Sequence, residues 1–578
     1  MAPYRLSACP LSSTRADWIS QSQARLRAPA KLGCLVFNLY GIDMPSAPSP
    51  NYRRHGLAWL LLVSLALVGA YWWWAIGRPV ALPDAPSTRI ACVSYSPFRG
   101  KGQTPLDPHA FITPQQIDAD MRALSQRFDC VRTYSQGQGL SAVPEIAGRY
   151  GMKVLMGIWL RSDPKANEEQ IQLGVATARK YPQVLRGVIV GNEVLLRGEL
   201  SSAQLAGYLR EVRAAIKVPV TYADVWEFWL RHPELADSVD YITIHILPYW
   251  EDRPVPPEDA VQHVADVYAK AQHAFPGRMV MIGETGWPSA GRARQYADAS
   301  LVNEARYLRE FLRYAATVQM PYNVIEAFDQ PWKREQEGTA GGYWGIFDRY
   351  AQPKFAMVGP VTEEPRWWAG WLAGAAAAGL FMLVGSWRRS WRGWRGWVAL
   401  VLAGFASGCA LAWQFRQMWL ACRDTWEWMV ALSVCALALA TMLLLARWMA
   451  ARLAGAAQPL STLAAWLRLG WLFALTYYGL LLVFDGRYRD LPLGLFELPC
   501  AGYALVAWLS DRNPSMPRLE ERFLAACLPL LGASVVWQES GQTPVAWLWL
   551  GLNLAIALPV LLAWWQVHQS RRLQSQQA

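Results

Sequence analysis

Apolar residues recur along this chain in two rhythms, and the change between them falls near residue 360. From residue 88 to 360 they gather in short runs: Arg89–Phe98, Asp129–Ser135, Lys153–Leu160, Leu185–Val194, Val218–Trp226, Asp240–Trp250, Arg278–Trp287 and Tyr322–Trp332. The stretches between them are amphipathic at helical spacing, as in TPQQIDADMRALSQRF with Ile117, Met121 and Leu124 on one face. Continuous apolar runs separated by helices predict parallel strands covered on both faces. Eight such units in about 270 residues predict an α/β fold, a (β/α)8 TIM barrel. An open doubly wound sheet is the rival, but no G-x-G-x-x-G follows any run.

The second rhythm is one of spans of about twenty residues, the length that crosses a bilayer. One, Gly56–Ile76, precedes the barrel; about seven follow, near 367–386, 397–413, 428–446, 465–484, 491–509, 523–537 and 544–565. The first has no small-x-small cleavage site and reads as an uncleaved anchor. The expected organisation is a cytoplasmic segment 1–55, an anchor 56–76, an extracytoplasmic barrel 88–360, a helical bundle 366–566 and a cytoplasmic tail 567–578. Residues 1–43 lack periodicity, whereas Met44 opens a conventional anchor start, so translation is expected to begin there.

Charge refines this picture. The net charge of +11 is concentrated in Arg residues between the apolar runs, which is what membrane orientation requires; no nucleic-acid motif accompanies it. Thirteen Arg residues (53, 54, 388, 389, 392, 395, 447, 452, 512, 518, 522, 571 and 572) fall in segments expected to be cytoplasmic. Four (416, 423, 487 and 489) fall in expected outer loops. Of nine Cys, none has paired C-x-x-C spacing. Cys92 and Cys130, on consecutive strands, are expected to be buried free thiols, with a disulfide as the alternative in an extracytoplasmic domain. Within the spans, Glu497 is the candidate functional acid, and Arg468 is expected to snorkel from a span end.

A barrel places its chemistry at the C-terminal ends of its strands. The fourth run ends in VGNEV and the seventh in MIGETGWPSAG, so Asn192, Glu193 and Glu284 open onto one rim. Glycosidic cleavage needs such a pair, one carboxyl to protonate the leaving oxygen and one carboxylate facing the anomeric carbon. Rim positions add Tyr95, Arg132, Tyr134, Asp224 and Trp226 as candidates. The D-x-D at Asp118–Asp120 lies on a predicted helix and is not read as a sugar-nucleotide site.

Together VGNEVL, GETGWPSAG and YWGIFD (Tyr343–Asp348) resemble glycoside hydrolase family 17, the β-1,3-glucanase family, over residues 88–360. The resemblance implies a retaining mechanism with Glu193 as acid/base and Glu284 as nucleophile. It implies a substrate cleft to which Asn192, Tyr95, Tyr134, Trp226, His245, Tyr249, Trp287, Asp329 and Trp332 contribute. IHILPYW departs from the plant pattern at His245 and Leu247, leaving open whether His245 or Tyr249 supports the nucleophile. Neither metal nor cofactor is implied, since protonation and a carboxyl ester suffice. The expected partners are a β-glucan oligo- or polysaccharide, the lipid bilayer and a glucan synthase or export complex. The architecture resembles bacterial membrane proteins called β-(1→6)-glucan synthases, which implies an inner membrane with the barrel in the periplasm. Transfer, hydrolysis and a non-enzymatic export scaffold are the three functional expectations, transfer being favoured.

Overall fold

In the computed structural model of the protein, which describes residues 50–387, 393–456, 459–510 and 516–577, seven of the eight apolar runs form neighbouring parallel strands. They are β1 (Val93–Ser94), β2 (Cys130–Arg132), β3 (Lys153–Ile158), β4 (Leu185–Asn192), β5 (Val220–Val225), β6 (Ile242–His245) and β7 (Val280–Glu284). The eighth run makes no regular strand. It closes the curled sheet through isolated parallel bridges, Tyr322 to Ile282 on β7 and Val324 to Val93 on β1. Asn323 N–H donates to Ile282 O at 2.8 Å and Ser94 N–H to Val324 O at 2.9 Å. The TIM-barrel expectation therefore holds, with an irregular eighth member.

The helices start where capping chemistry starts them. Thr113 caps Pro114–Leu124 and Asp163 caps Pro164–Lys180, each with Pro in the first turn. Ser201 and Gln204 form a reciprocal capping box for Ser202–Ala215. Inside the barrel, Cys92, Cys130, Leu155, Ile189, Ala223, Tyr241 and Met281 form one buried cluster, drawn from seven successive runs. It is the side-chain plug that fills a barrel of this size.

Within that plug Cys92 and Cys130 are joined as a disulfide, S–S 2.13 Å, which corrects the expectation of two free thiols. The register explains it. Val93 pairs with Val131, so Cys92 falls opposite Cys130 with Cα atoms 4.3 Å apart.

Helices occupy every expected span. Six among the described residues are long and apolar enough to cross a membrane: Arg54–Ile76, Trp368–Ser386, Trp394–Ala421, Thr425–Leu453, Thr462–Tyr488 and Pro544–Gln576. The other two fall short of that description. Leu493–Leu509 is a shorter apolar helix, and Leu519–Gln538 opens with Glu520, Glu521 and Arg522. Arg468 does not simply snorkel: it pairs with the buried Glu521 at 2.8 Å. Residues 1–49 of the expected N-terminal segment, the Met44 start among them, and Arg388, Arg389, Arg392 and Arg512 lie outside the described residues.

The barrel is seated on the helices, not merely strung between them. The two linkers pair as a short antiparallel ladder, Pro79 with Thr362 and Val80 with Val361. Arg416 bridges Glu363 and Glu364 at 3.0 and 3.1 Å, and Arg334 donates to Leu420 O at 2.7 Å. These contacts come from a loop and helix end assigned to the barrel's side by the charge pattern.

Candidate active site

The loop after β4 turns on backbone conformations that few residues adopt. Gly191 has φ +84°, and a Cβ there would stand 2.9 Å from Val194. Glu193, although not glycine, is also left-handed at φ +52°. Such strain at a non-glycine residue costs roughly 1–3 kcal/mol and persists only where surroundings enforce it. Here Glu193 N–H donates to Ala223 O at 2.8 Å and its carbonyl accepts from Arg197 N–H at 2.9 Å. The β4–β5 register slips between Ile189 and Asn192, and the β6–β7 register between Ile244 and His245. Both irregularities lie where side chains must be re-aimed into the mouth.

The result is a tight constellation. One carboxylate oxygen of Glu193, one ring nitrogen of His245 and one carboxylate oxygen of Glu284 lie within 4.8 Å of one another. His245 Nδ1 stands 2.9 Å from Glu193 Oε1, and its Nε2 3.8 Å from Glu284 Oε1. Glu284 Oε1 accepts from Arg132 Nη1 at 2.9 Å and from the Tyr134 hydroxyl at 2.8 Å. Arg132 also donates to Gly283 O at 2.8 Å and to the Asn192 amide oxygen at 2.5 Å. One guanidinium thus fixes both the Glu284 carboxylate and the residue preceding Glu193.

The electrostatics act on Glu284 and its neighbours. Burial pushes the Glu284 carboxyl up, but the charges of His245 and Arg132 and the Tyr134 hydrogen bond outweigh it and hold the group below the ordinary 4.5. Tyr134 is driven well above 10.0 by burial and by the Glu284 charge, so it remains a donor. Asp224, behind the site, is raised to about 6 by burial, with the Glu193 charge adding to the effect. The Glu193–His245–Glu284 group also has the spacing of a metal site. Arg132 already supplies a fixed cation on Glu284 Oε1, however, and a divalent ion would face it across that oxygen.

These residues open into a cavity of about 1140 Å³, above the ~300–1,000 Å³ of ordinary small-molecule pockets. Of the predicted site residues, Glu193, Glu284, Asn192, Tyr95, Tyr134, His245 and Trp332 line it. Tyr95 is held by Asp120, its hydroxyl 2.9 Å from Oδ2, and Asp120 by Arg99 at 2.5 Å. The second Asp of the D-x-D is therefore a buried strut. Glu326 and Lys333 pair at 2.8 Å on the same wall.

Trp226, Tyr249, Trp287 and Asp329 are not among the residues that line the cavity. Trp226 opens the helix Trp226–Arg231, which turns Glu227, Phe228 and Arg231 inward and leaves the indole bonded to Glu251 at 3.3 Å. Trp287 is core: it packs on Tyr249 and Tyr307 and donates to Asp298 O at 2.9 Å. Tyr249 is 1% exposed and donates to Arg292 O. Asp329 is consumed by Lys354 and by Gly345 N–H, each at 3.0 Å. The open choice between His245 and Tyr249 as support for Glu284 resolves to Arg132 and Tyr134. Sequence reasoning missed Trp250 and Trp344, which stack at 6.2 Å on the cavity wall; the turn after β6, closed by Trp250 N–H donating to Leu247 O at 2.8 Å, carries Trp250 there while Tyr249 is buried. It also missed Trp159, Glu337, Arg487 and Tyr488, the last two more than 100 residues beyond the barrel.

A closed parallel barrel whose mouth presents two close carboxylates over a large cavity is the arrangement of barrel glycosidases. Residues 92–345 match the family model described as the BtgE/BtgC glycoside hydrolase domain, so the barrel is a glycoside hydrolase domain. The chain is similar to a glucan 1,3-beta-glucosidase of Arthroderma benhamiae, 25% identical over 43% of this chain and 86% of that protein. It is similar to a protein of the same name from Saccharomyces cerevisiae, 21% identical over 42% and 84%. A relative from Aspergillus flavus is 24% identical, but the chain spans only 44% of its length. Among solved structures, a glycoside hydrolase family 17 beta-1,3-glucanosyltransferase from Rhizomucor miehei shares 24% identity over 46% of this chain and 97% of that one, with a TM-score of 0.41.

Proposed function

We propose that the chain is a retaining, β-1,3-glucan-active transglycosidase held at a membrane. The observation that carries this reading is the Glu193–Glu284 approach, within 4.8 Å. Retaining pairs stand about 5–5.5 Å apart, whereas inverting pairs leave about 6.5–9.5 Å for a water. Glu284 attacks the anomeric carbon as the glycosidic C–O bond breaks, and Glu193 gives its proton to the leaving oxygen. An acceptor sugar hydroxyl then attacks the glycosyl ester, returning its proton to Glu193 and freeing Glu284. Arg132 and Tyr134 keep Glu284 ionised and aimed, and Asn192 stands beside it to meet the sugar 2-hydroxyl. His245 hydrogen-bonds Glu193 across the barrel mouth and holds its carboxyl in place.

Transfer to a second glucan, including formation of β-1,6 linkages, is favoured over hydrolysis because the domain is seated on membrane-type helices, beside a route along which nascent glucan emerges. The disulfide favours an oxidising compartment and the Arg distribution a cytoplasmic N-terminus; a bacterial inner membrane with the barrel in the periplasm satisfies both. The test is incubation of the full chain, in detergent or nanodiscs, with β-1,3-gluco-oligosaccharides of defined length. Products longer than the substrate or newly linked support transfer, and shorter products alone identify a hydrolase. No change with both acids intact leaves glucan binding or export as the function.

A further inference from the structure

We infer that the loop Gly486–Asp490, which joins two helices of the C-terminal bundle, is a wall of the carbohydrate cleft and sets the length of glucan the site accepts. The inference rests on the glucan-active reading above and concerns the same site. Arg487 and Tyr488 line the cavity that holds Glu193 and Glu284. The Tyr488 ring meets Trp250 edge-on at 5.9 Å, and Trp250 stacks on Trp344. The three rings make one aromatic wall, two from the barrel and one from the bundle. Sugars pack their C–H faces on such rings, so the bundle supplies part of a binding surface and not only a tether.

The loop is built into its position. Arg292, 8% exposed, donates to the carbonyls of Gly486 and Arg489, the latter at 3.1 Å, and pairs with Glu539 from the next interhelical turn. Thr339 donates to Asp490 at 2.5 Å, and Tyr478 holds the Asp490 carbonyl at 2.8 Å. Gly338, at φ +67°, lets two backbones touch: a Cβ there would stand 2.0 Å from Tyr488 O. Any side chain at 338 would push the loop off the barrel. Tyr488 stands against the β6 loop, through Trp250, and against the segment after the eighth run, through Gly338. The same cavity is also lined by Pro105, Leu106 and Gln138 from the loops after β1 and β2. Through these rings the bundle forms one boundary of the cleft. A glucan long enough to reach this wall packs against it.

The experiment compares wild type, Tyr488→Ala, Tyr488→Phe and Arg487→Ala, each as the full chain, on β-1,3-gluco-oligosaccharides of three to seven units. Tyr488→Ala is expected to move the position of the cleaved bond, shifting the product ladder by at least one glucosyl unit. It is also expected to raise KM at least threefold for the oligosaccharides long enough to reach the wall, with a smaller change for the trimer. Tyr488→Phe, which keeps the ring, restores the wild-type ladder. Arg487→Ala, a smaller change on the same loop, is expected to shift the ladder in the same direction and carries the test should Tyr488→Ala lose its thermal transition. Unchanged ladders and chain-length dependence in folded variants overturn the inference while leaving the glucan-active reading intact. A wild-type chain that turns over no β-1,3-glucan overturns both.

Discussion

Replacing Arg132 with methionine removes the one cation bonded directly to Glu284 while keeping a side chain of similar length. The guanidinium lies 2.9 Å from Glu284 Oε1, with the two side chains 1% and 6% exposed. At an effective dielectric of about 20, such a pair interacts by roughly 4–6 kcal/mol, and removing one partner of a buried pair costs roughly 3–5 kcal/mol. The surviving carboxyl escapes that cost by taking a proton. In the native chain burial raises the group, but His245, Arg132 and Tyr134 together hold it below 4.5. Glu284 is then ionised at pH 5, and the stability its interactions contribute is present above its unfolded value and lost as pH falls through the folded one. Without Arg132 one of the groups that oppose burial is lost, and the carboxyl moves upward even though His245 and Tyr134 remain. The acidic limb of kcat/KM on a β-1,3-gluco-oligosaccharide is therefore expected to rise by at least about one pH unit, each unit corresponding to about 1.4 kcal/mol. Arg132→Lys, which keeps charge but not the fork to Asn192, should fall between. An unmoved acidic limb in a folded Arg132→Met enzyme of native rate would refute the assignment of Arg132 as the group that ionises Glu284.

Other outcomes follow from the same geometry. Glu284→Gln should abolish turnover while leaving oligosaccharide binding, read by tryptophan fluorescence, within about threefold. Glu193→Gln should slow natural glucan cleavage by roughly 10²–10⁴-fold, the contribution of a positioned proton donor, and affect an aryl glycoside with a good leaving group far less. Breaking the Cys92–Cys130 bridge, which closes 38 residues, should cost about 4 kcal/mol on loop entropy, read as a lower Tm after Cys92→Ser. Asp224, raised to about 6 from 3.8, binds its proton more tightly when folded, so its ionisation destabilises the barrel by up to about 3 kcal/mol as pH rises from 4 to above 6. Asp224→Asn should flatten that part of the stability-pH curve.

The apolar rhythm was enough to order the barrel strands, because each buried parallel strand needs a continuous apolar run. It also marked the three residues at the heart of the site, since β4 and β7 end where their carboxylates begin. What it could not resolve is side-chain direction just past a strand end. A turn after β6 places Tyr249 in the core and Trp250 in the cavity, and the loop after Glu284 carries Trp287 into the core. The same limit applied to Asp329, whose polar character reflects a buried pairing with Lys354. Cys92 and Cys130 were placed on adjacent strands, but only the register shows that they fall opposite each other. Tyr488 lay beyond reach for a different reason. Nothing local in an interhelical loop encodes its contact with a barrel more than 100 residues upstream, and only the docking of Arg292 and Gly338 brings it there.

The central claim is that Glu193 and Glu284 approach too closely to admit a water between carboxyl and sugar on the attacking face. Proton NMR of the first-formed product, recorded before mutarotation, reads this directly. A β configuration at the donor's anomeric carbon, in the new glycosidic linkage after transfer or in the freshly formed reducing end after hydrolysis, is the expected result; an α configuration would contradict a glycosyl-enzyme on Glu284.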